Sequence, residues 1–549
     1  MEFRYAISLV LEAHLPFVRE YNKEDDINHS GEEERFFEYV SETLLPLLEM
    51  LNRLENDHIH FRLGLVISPV LCYMLCDEHF QKKYLAFLDK QIAFGQRELQ
   101  RTSGNSETNK LAKIYYDQMV DKRFAYTEKY EKNILKAFDT YKKRGKIEIL
   151  GSCATNSFLP FLDHNPESLQ AQMEIPSSIF RRHFGSCSQG FWLPCLGWTQ
   201  AIEPYLKAYN YSYTIVDSRG LLLGSPAPQN GCFTPVRTPG GTYILSRDHY
   251  ALRDIEKLSV NGLYRNNNRD IGYELPQKEV SQFLSAEGGR SRTGYKYWSR
   301  HHIANSIVNP AGSASANEIS RAGGSAIYNS QAAENKAIEQ SKLFIEKTTA
   351  RLEESAKYLK DAPISLIADN ADNFGRFWHE GWRFIESLFR AAAERKDLKF
   401  VSPGEYIFRQ GLSSLQVVNP EFSSGSVNGY AETWLDVSND WIYRHLYRAM
   451  ERMTELAERF PDDTGLKERA LNQAAREILL AQSSDWPALL YNQDSTEFAR
   501  NKAENSLRNF TTIYEALGSN YISTEWLTTL ERKHNIFPNI NYRVFRRKK

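Results

Sequence analysis

Apolar residues gather in seven short runs, each closed by polar, Gly or Pro residues: Tyr5–Leu11, Phe61–Ile67, Ile147–Leu150, Gly190–Leu193, Tyr213–Val216, Tyr243–Leu245 and Ser365–Ile367. Runs this short, bounded in this way, predict buried strands. Long helical stretches lie between several of them. Glu34–Leu54 places Phe37, Val40, Leu44, Leu47, Leu48 and Leu51 at helical spacing, and Leu111–Arg144 alternates charged and aromatic faces. Strand–helix alternation predicts a parallel α/β sheet or barrel. In a barrel, the polar residues after each strand would converge on one face. Those residues are Glu12 and His14, Asn156, Cys195, Asp217, Arg247 and Asp248, and Asp369 and Asn370.

The pattern then changes twice. Between Ser285 and Gly324 the chain is rich in Gly, Ser, Asn, Arg and Ala, and Ile307–Ser325 has no period. It reads as a loop or lid, or as an insert tolerated without a role. After Ser402-Pro403-Gly404 the chain turns almost wholly helical. Asn439-Asp440 is placed to cap a helix carrying Leu446, Met450, Met453, Ala457 and Phe460, which Pro461–Gly465 breaks. A second helix carries Leu471, Ala475, Ile478 and Leu479 and is expected to end at Asp485-Trp486-Pro487. A third is expected from about Ser495 to Ala516. Such helices pack as a small bundle. The expected domains are therefore 1–284 (barrel with inserted segments), 285–360 (loop and helical insertion), 361–402 (last barrel strand and helix) and 403–549 (helical domain).

Composition narrows the function. Lys and Arg number 68 against 69 Asp and Glu, a balance that argues against a nucleic-acid or membrane-surface specialist. Arg546-Arg547-Lys548-Lys549 reads more simply as a solvated, frayed terminus than as an interaction tail. No apolar run approaches the roughly 20 residues needed to span a bilayer. Met1 leads straight into strand-like sequence without a signal-peptide pattern, and the six cysteines lack the spacing of a disulfide framework or zinc site. The expected compartment is the cytoplasm. Aromatic residues make up 13% of the chain, enough to supply stacking platforms for sugar rings, although most must be core.

The stretch Gly190–Trp198 reads G-F-W-L-P-C-L-G-W, a strand delivering Cys195 at its end. It resembles the strand of glycoside hydrolase family 57 in which G-F-W-L-P precedes a glutamate nucleophile. Other segments fit the same family in the same order: Leu9–Phe17, Ile149–Phe158, Arg182-His-Phe-Gly185, Val216–Gly220 with Ser246–Asp248, and Phe374–Gly381. The helical end adds Trp434-Leu435, Asn439–Trp441, Ser484–Pro487 and Phe537–Arg543. Together they are similar to the family's α-1,4-glucan branching enzymes. The resemblance implies an incomplete (β/α)7 barrel, an inserted subdomain and a C-terminal α-helical bundle, with the helical end favouring the branching enzymes over the family's amylases.

Retaining glycosidases and transglycosylases need two carboxyl groups roughly 5–5.5 Å apart, one nucleophile and one acid/base. The resemblance puts the nucleophile at Cys195 and the acid/base at Asn370. It puts pocket histidines where Glu12 and Asn156 stand. An amide cannot donate and recover a proton, and nothing in the sequence nearby activates the thiol. Glu12, on strand one near both positions, and Asp372 are the candidate rescue carboxylates. Asp369 would point to the opposite face from Asn370.

For sugar binding the resemblance offers His14, Asn156, Trp192, Arg247, Asp248, Trp378, His379, Trp434, Asp485 and Trp486. For each tryptophan a core role competes, for Arg247 and Asp248 a structural strand-end role, and for Asp485 a capping role. A family tryptophan near Ser423-Ser424 corresponds to Gly425. The leading expectation is a non-catalytic protein that binds or scaffolds α-glucan or maltooligosaccharide, alone or with other glucan-metabolism proteins, and needs no cofactor or metal. The alternatives are an active branching enzyme or 4-α-glucanotransferase using displaced carboxylates, or a different reaction centred on Cys195.

Overall fold

A computed structural model describes residues 3–20, 30–186, 188–280, 289–300, 326–409 and 415–547. The patternless segment 307–325 lies outside them. All seven apolar runs form strands: β1 (Tyr5–Ala13), β2 (Leu63–Ile67), β3 (Ile147–Leu150), β4 (Gly190–Phe191), β5 (Tyr213–Val216), β7 (Tyr243–Ser246) and β8 (Ile364–Asn370). Two further strands fall outside the apolar runs, β6 (Val236–Arg237) and β9 (Leu398–Phe400).

Parallel pairing gives two arcs, β3-β2-β1-β8 and β4-β5-β7. Gly151 joins them: its N–H donates to Gly190 O at 2.9 Å and its carbonyl accepts from Trp192 N at 2.7 Å. On the far side β7 and β8 are linked where Asp248 N donates to Leu366 O at 2.6 Å. Antiparallel β6 runs along β7 there, and the residue Phe233 just before it accepts from Ile364 N, the first residue of β8. The result is a seven-stranded parallel barrel whose last seam is not a full ladder.

The barrel is filled from inside. Val10, Val66, Leu150, Trp192, Ile215, Leu245, Leu366 and Ala368 form one buried cluster, while their strand neighbours Leu9, Leu11 and Ile367 belong to the larger core outside. Because side chains alternate along a strand, the inward series reaches Glu12 and Asn370 at the ends of β1 and β8, and Asp217 and Arg247 just past β5 and β7.

A helical segment follows β2: α1 (Pro69–Cys76), α2 (Glu78–Arg101), α3 (Ser106–Phe124) and α4 (Ile134–Lys143). The helical stretch expected over Leu111–Arg144 falls on two of these helices. They are separated by a wide turn at Ala125–Lys129 and the positive-φ residues Glu131 and Lys132. α5 (Ser330–Ala356) packs Phe344 against Phe384 of α6 (Gly381–Ala393), making it part of the outer helical layer.

The helical end comprises α7 (Trp441–Arg459), α8 (Leu466–Ala481), α9 (Asp485–Tyr491), α10 (Thr496–Gly518) and α11 (Thr524–Lys533). Two expectations are corrected. Asp440 caps nothing with its side chain; Asn439 instead ties the loop to α9, its amide donating to Thr433 O and Pro487 O at 3.0 Å each. Asp485-Trp486-Pro487 does not end a helix but begins α9, where proline in the first turn costs no hydrogen bond. Among the described residues no helix is long and apolar enough to cross a membrane.

Candidate functional site

At the C-terminal mouth of the barrel, Glu12 on β1 stands directly beside Asn370 on β8 in the strand register. The Glu12 side chain is buried at 6% exposure, and its Oε1 makes no hydrogen bond of normal geometry. Burial pushes its pKa from 4.5 up to about 7, outweighing the downward pull of His14 and of the nearby Trp192 indole N–H, while Asp485 adds to the rise. At neutral pH this carboxyl is about half protonated.

Two residues on, His14 is held at both ring nitrogens. Nδ1 meets Ser68 Oγ at 2.8 Å, and Nε2 meets both oxygens of Asp485 at 3.0 Å. Ser68 is placed by its own task as the N-cap of α1, accepting from Leu71 N. Burial opposes the charged ring, yet Asp485 and Glu12 more than offset it, and the His14 pKa is raised. Asp485 is the first residue of α9 and also accepts from Ser483 Oγ at 2.5 Å. The helical end thus supplies a wall of the mouth.

Cys195 sits one residue past Pro194 in the left-handed region, φ 56° and ψ 17°, and Leu196 and Asn156 share that conformation at φ 52°. Non-glycine residues accept this cost where surrounding structure fixes them, commonly at sites. The Cys195 carbonyl takes Gly425 N–H at 2.6 Å, and its Sγ lies 3.4 Å from Ser484 Oγ. Ser484 Oγ in turn donates to the Asn156 carbonyl at 2.5 Å. Burial pushes the Cys195 thiol well above its ordinary range, with Glu12 and Asp485 adding to it. It is a poor nucleophile in this setting. Ser484 was missed as a site residue; its only sequence signal was its place in Ser484–Pro487.

Asp217 faces the mouth from β5 but is fully engaged. Arg219 Nε donates to one oxygen at 2.7 Å and Arg247 Nε to the other at 2.7 Å. Burial opposes ionisation, but the two guanidinium groups hold its pKa below the usual range.

The other expected site residues divide. Asp372 is not free: Thr43 Oγ1 donates to it at 2.8 Å and Arg376 pairs with it at 2.5 Å. Asp369 points away from the barrel interior and accepts from Asn373 Nδ2 at 2.8 Å, with burial raising its pKa to about 6. Asp248 caps the helix His249–Ser259 with one oxygen and accepts from Ser365 Oγ at 2.6 Å with the other. Trp378 is buried among Tyr264, Phe374 and Phe384 in the outer core. Trp486 is likewise a core ring, its N–H satisfied by Leu480 O at 2.6 Å. Trp434 stacks on Phe158 with centroids 4.5 Å apart. His379 lies 3.5 Å from Glu42 beside the buried Arg265, outside the mouth, and burial lowers its pKa. Glu12, His14, Asn156, Trp192, Cys195, Arg247, Asn370 and Asp485 remain together at the mouth.

Three polar atoms there are buried without a hydrogen bond of normal geometry: Glu12 Oε1, Asn156 Oδ1 and Trp192 Nε1. Among the described residues no group of three or more His, Cys, Asp or Glu is placed to hold a metal ion.

Residues 8–286 match the model of glycosyl hydrolase family 57. The chain belongs to that family. Residues 445–545 match the C-terminal domain of 1,4-α-glucan branching enzyme. A 1,4-α-glucan branching enzyme of Thermococcus kodakarensis is 24% identical over 92% of this chain and 72% of its own length. The crystal structure of the α-amylase AmyC from Thermotoga maritima superposes with a TM-score of 0.88 at 30% identity, covering all of both chains. A family 57 branching enzyme from Pyrococcus horikoshii gives 0.84 at 21% identity, covering all of this chain and 98% of that one. Because a chain described as an α-amylase matches over the full length, the overall likeness does not by itself separate branching enzymes from amylases.

Proposed function

We propose that this family 57 chain binds α-glucan at the barrel mouth and neither cuts nor rejoins it. The reading is carried by the inventory of unengaged groups there. A retaining mechanism needs two available carboxyl groups. Among the described residues at the mouth, Glu12 is the one carboxyl not already committed, since Asp217 and Asp485 are bound by cationic or hydroxyl partners. The positions that the family resemblance assigns to nucleophile and acid/base are a thiol pushed out of its reactive range and an amide.

Binding rests on the same inventory. Buried polar groups are rarely left unpaired. We take the carboxyl, amide oxygen and indole N–H of Glu12, Asn156 and Trp192, buried and without a partner of normal geometry, as the polar groups nearest a bound sugar, whose hydroxyls can donate or accept. The functions named for the relatives, branching and amylolysis of α-glucans, give the ligand class.

A second reading has one observation in its favour: Glu12, half protonated near pH 7, has the character of a general acid. It would serve an active transferase or hydrolase using a displaced acid. Incubation with amylose, followed by iodine staining and chain-length analysis, separates the two. The proposal expects no new α-1,6 linkages and no shortening, together with a saturable rise in melting temperature with maltooligosaccharide. Turnover above background that is abolished by Glu12→Gln would replace it with the enzyme reading.

A further inference from the structure

We propose that a groove on the helical end, sharing no residue with the barrel mouth, binds a phosphorylated sugar. The groove holds about 390 Å³ between α7 and α10, a size within the range of small-molecule sites. Its lining is set by helical spacing. From α7 come His445, Arg448 and Arg452, three and four residues apart and so on one face; from α10 come Glu504, Arg508 and Thr511. Trp441, the first residue of α7, closes one end, with the Arg500 guanidinium 5.2 Å from its ring centroid.

Three arginines and a histidine therefore face one carboxylate. The arginine charges are weakly spent. Arg452 stacks over Tyr514 at 4.8 Å and has no ion pair among the described residues. Arg508 reaches Glu504 only at 3.9 Å, and Arg448 pairs with the exposed Glu451 at 3.2 Å. A concave, positively charged lining concentrates anions, and the planar guanidinium fork fits phosphate oxygens two at a time. Glu504 and the Thr511 hydroxyl, set among these cations, supply what a phosphate does not need and a sugar does: acceptors for hydroxyl groups. A phosphate monoester of a hexose uses both halves of the lining.

Titration calorimetry on the full chain with glucose 6-phosphate tests this, with glucose, inorganic phosphate and AMP run in parallel. Saturable binding of the sugar phosphate is expected, weakened by roughly tenfold or more in Arg452→Gln, the loss of one charge-assisted contact. Arg508→Gln, on the opposite helix, is expected to weaken it as well. Glu12→Gln at the mouth, and saturating maltooligosaccharide, are expected to leave it unchanged, so the outcome is independent of the glucan reading. Absence of saturable binding, or equal affinity in both arginine variants with unchanged melting temperatures, overturns the site. Equal affinity for glucose overturns its anionic character; equal affinity for phosphate or AMP overturns its specificity for a sugar phosphate. Competition by maltooligosaccharide would move the binding to the mouth and overturn the groove.

Discussion

Replacing Glu12 with glutamine is the most direct probe of the mouth. The substitution keeps the shape and removes the titration. Glu12 has its pKa raised from 4.5 to about 7, chiefly by burial, so the folded state holds the proton more tightly than the unfolded chain does. Stability from this group is therefore intact below the unfolded value of 4.5. It declines as pH rises through the window from 4.5 to 7, and the loss is complete above it. The full loss is roughly 3 kcal/mol for a shift of this size. Glutamine cannot ionise and does not incur it.

The measurement is thermal or urea unfolding of both proteins across pH 4.5 to 8.5. His14 and Asp485, which face Glu12, are present in both and largely cancel. The expected result is that the curves coincide near pH 4.5 and separate through neutrality. At pH 8.5 the variant should melt higher by roughly 2–4 °C in a protein of this size. Parallel pH profiles would refute the reasoning, because they would mean that Glu12 is solvated or paired and that the mouth has no protonated carboxyl to offer.

Three further outcomes follow from the same geometry. With iodoacetamide at pH 8, exposed Cys76 should alkylate well before Cys195, whose thiol is pushed up by burial and lies against Ser484; peptide mass spectrometry showing Cys195 labelled first would revive a thiol-centred reaction. Ser484→Ala removes the hydroxyl joining the Asn156 carbonyl to Cys195 and should cost about 1–2 kcal/mol in urea unfolding; a neutral effect would mean that the bridge carries no stability. Gly425→Trp has no positive-φ obstacle and its Cβ would meet only the Cys195 carbonyl closely, at 3.1 Å; if the mouth binds glucan, the added ring should tighten maltooligosaccharide by about 0.5–1.5 kcal/mol in calorimetry, and unchanged affinity would place the sugar elsewhere.

The barrel was legible because its strands are buried on both faces and read as uninterrupted apolar runs. β6 and β9 were not: each is interrupted by a charged residue, Arg237 or Lys399, and forms no apolar run. The site was half legible. Glu12 and Asn370 lie at the C-terminal ends of β1 and β8, and Asn156 and Cys195 follow β3 and β4, so a barrel hypothesis alone brings them to one mouth. The partners of His14 and Cys195 could not be read this way: Asp485 and Ser484 lie 471 and 289 positions along the chain from them, on a helix whose start resembles a helix stop. The tryptophans were illegible for another reason. Nothing local distinguishes Trp192, lining the barrel interior, from Trp378 and Trp486, each 1% exposed in the outer core.

The positions that the family resemblance marks as substituted are not independent once folded. Glu12 and Asn370 are register partners across β1 and β8. Asn156 and Cys195 are joined through Ser484, which contacts both. Four positions where the family resemblance calls for two histidines and two catalytic acids therefore form two contacting sets within one mouth. Each set is internally consistent: the buried, raised-pKa Glu12 carboxyl stands beside an amide and not a second carboxylate, which avoids two adjacent like charges, and the neutral Cys195 thiol can donate to the Ser484 oxygen, whose own proton goes to the Asn156 carbonyl. On the proposed binding role, this arrangement lowers the negative charge of the mouth while keeping its hydrogen-bonding capacity, as a neutral, hydroxyl-rich ligand requires and a reaction passing through a positively charged transition state does not.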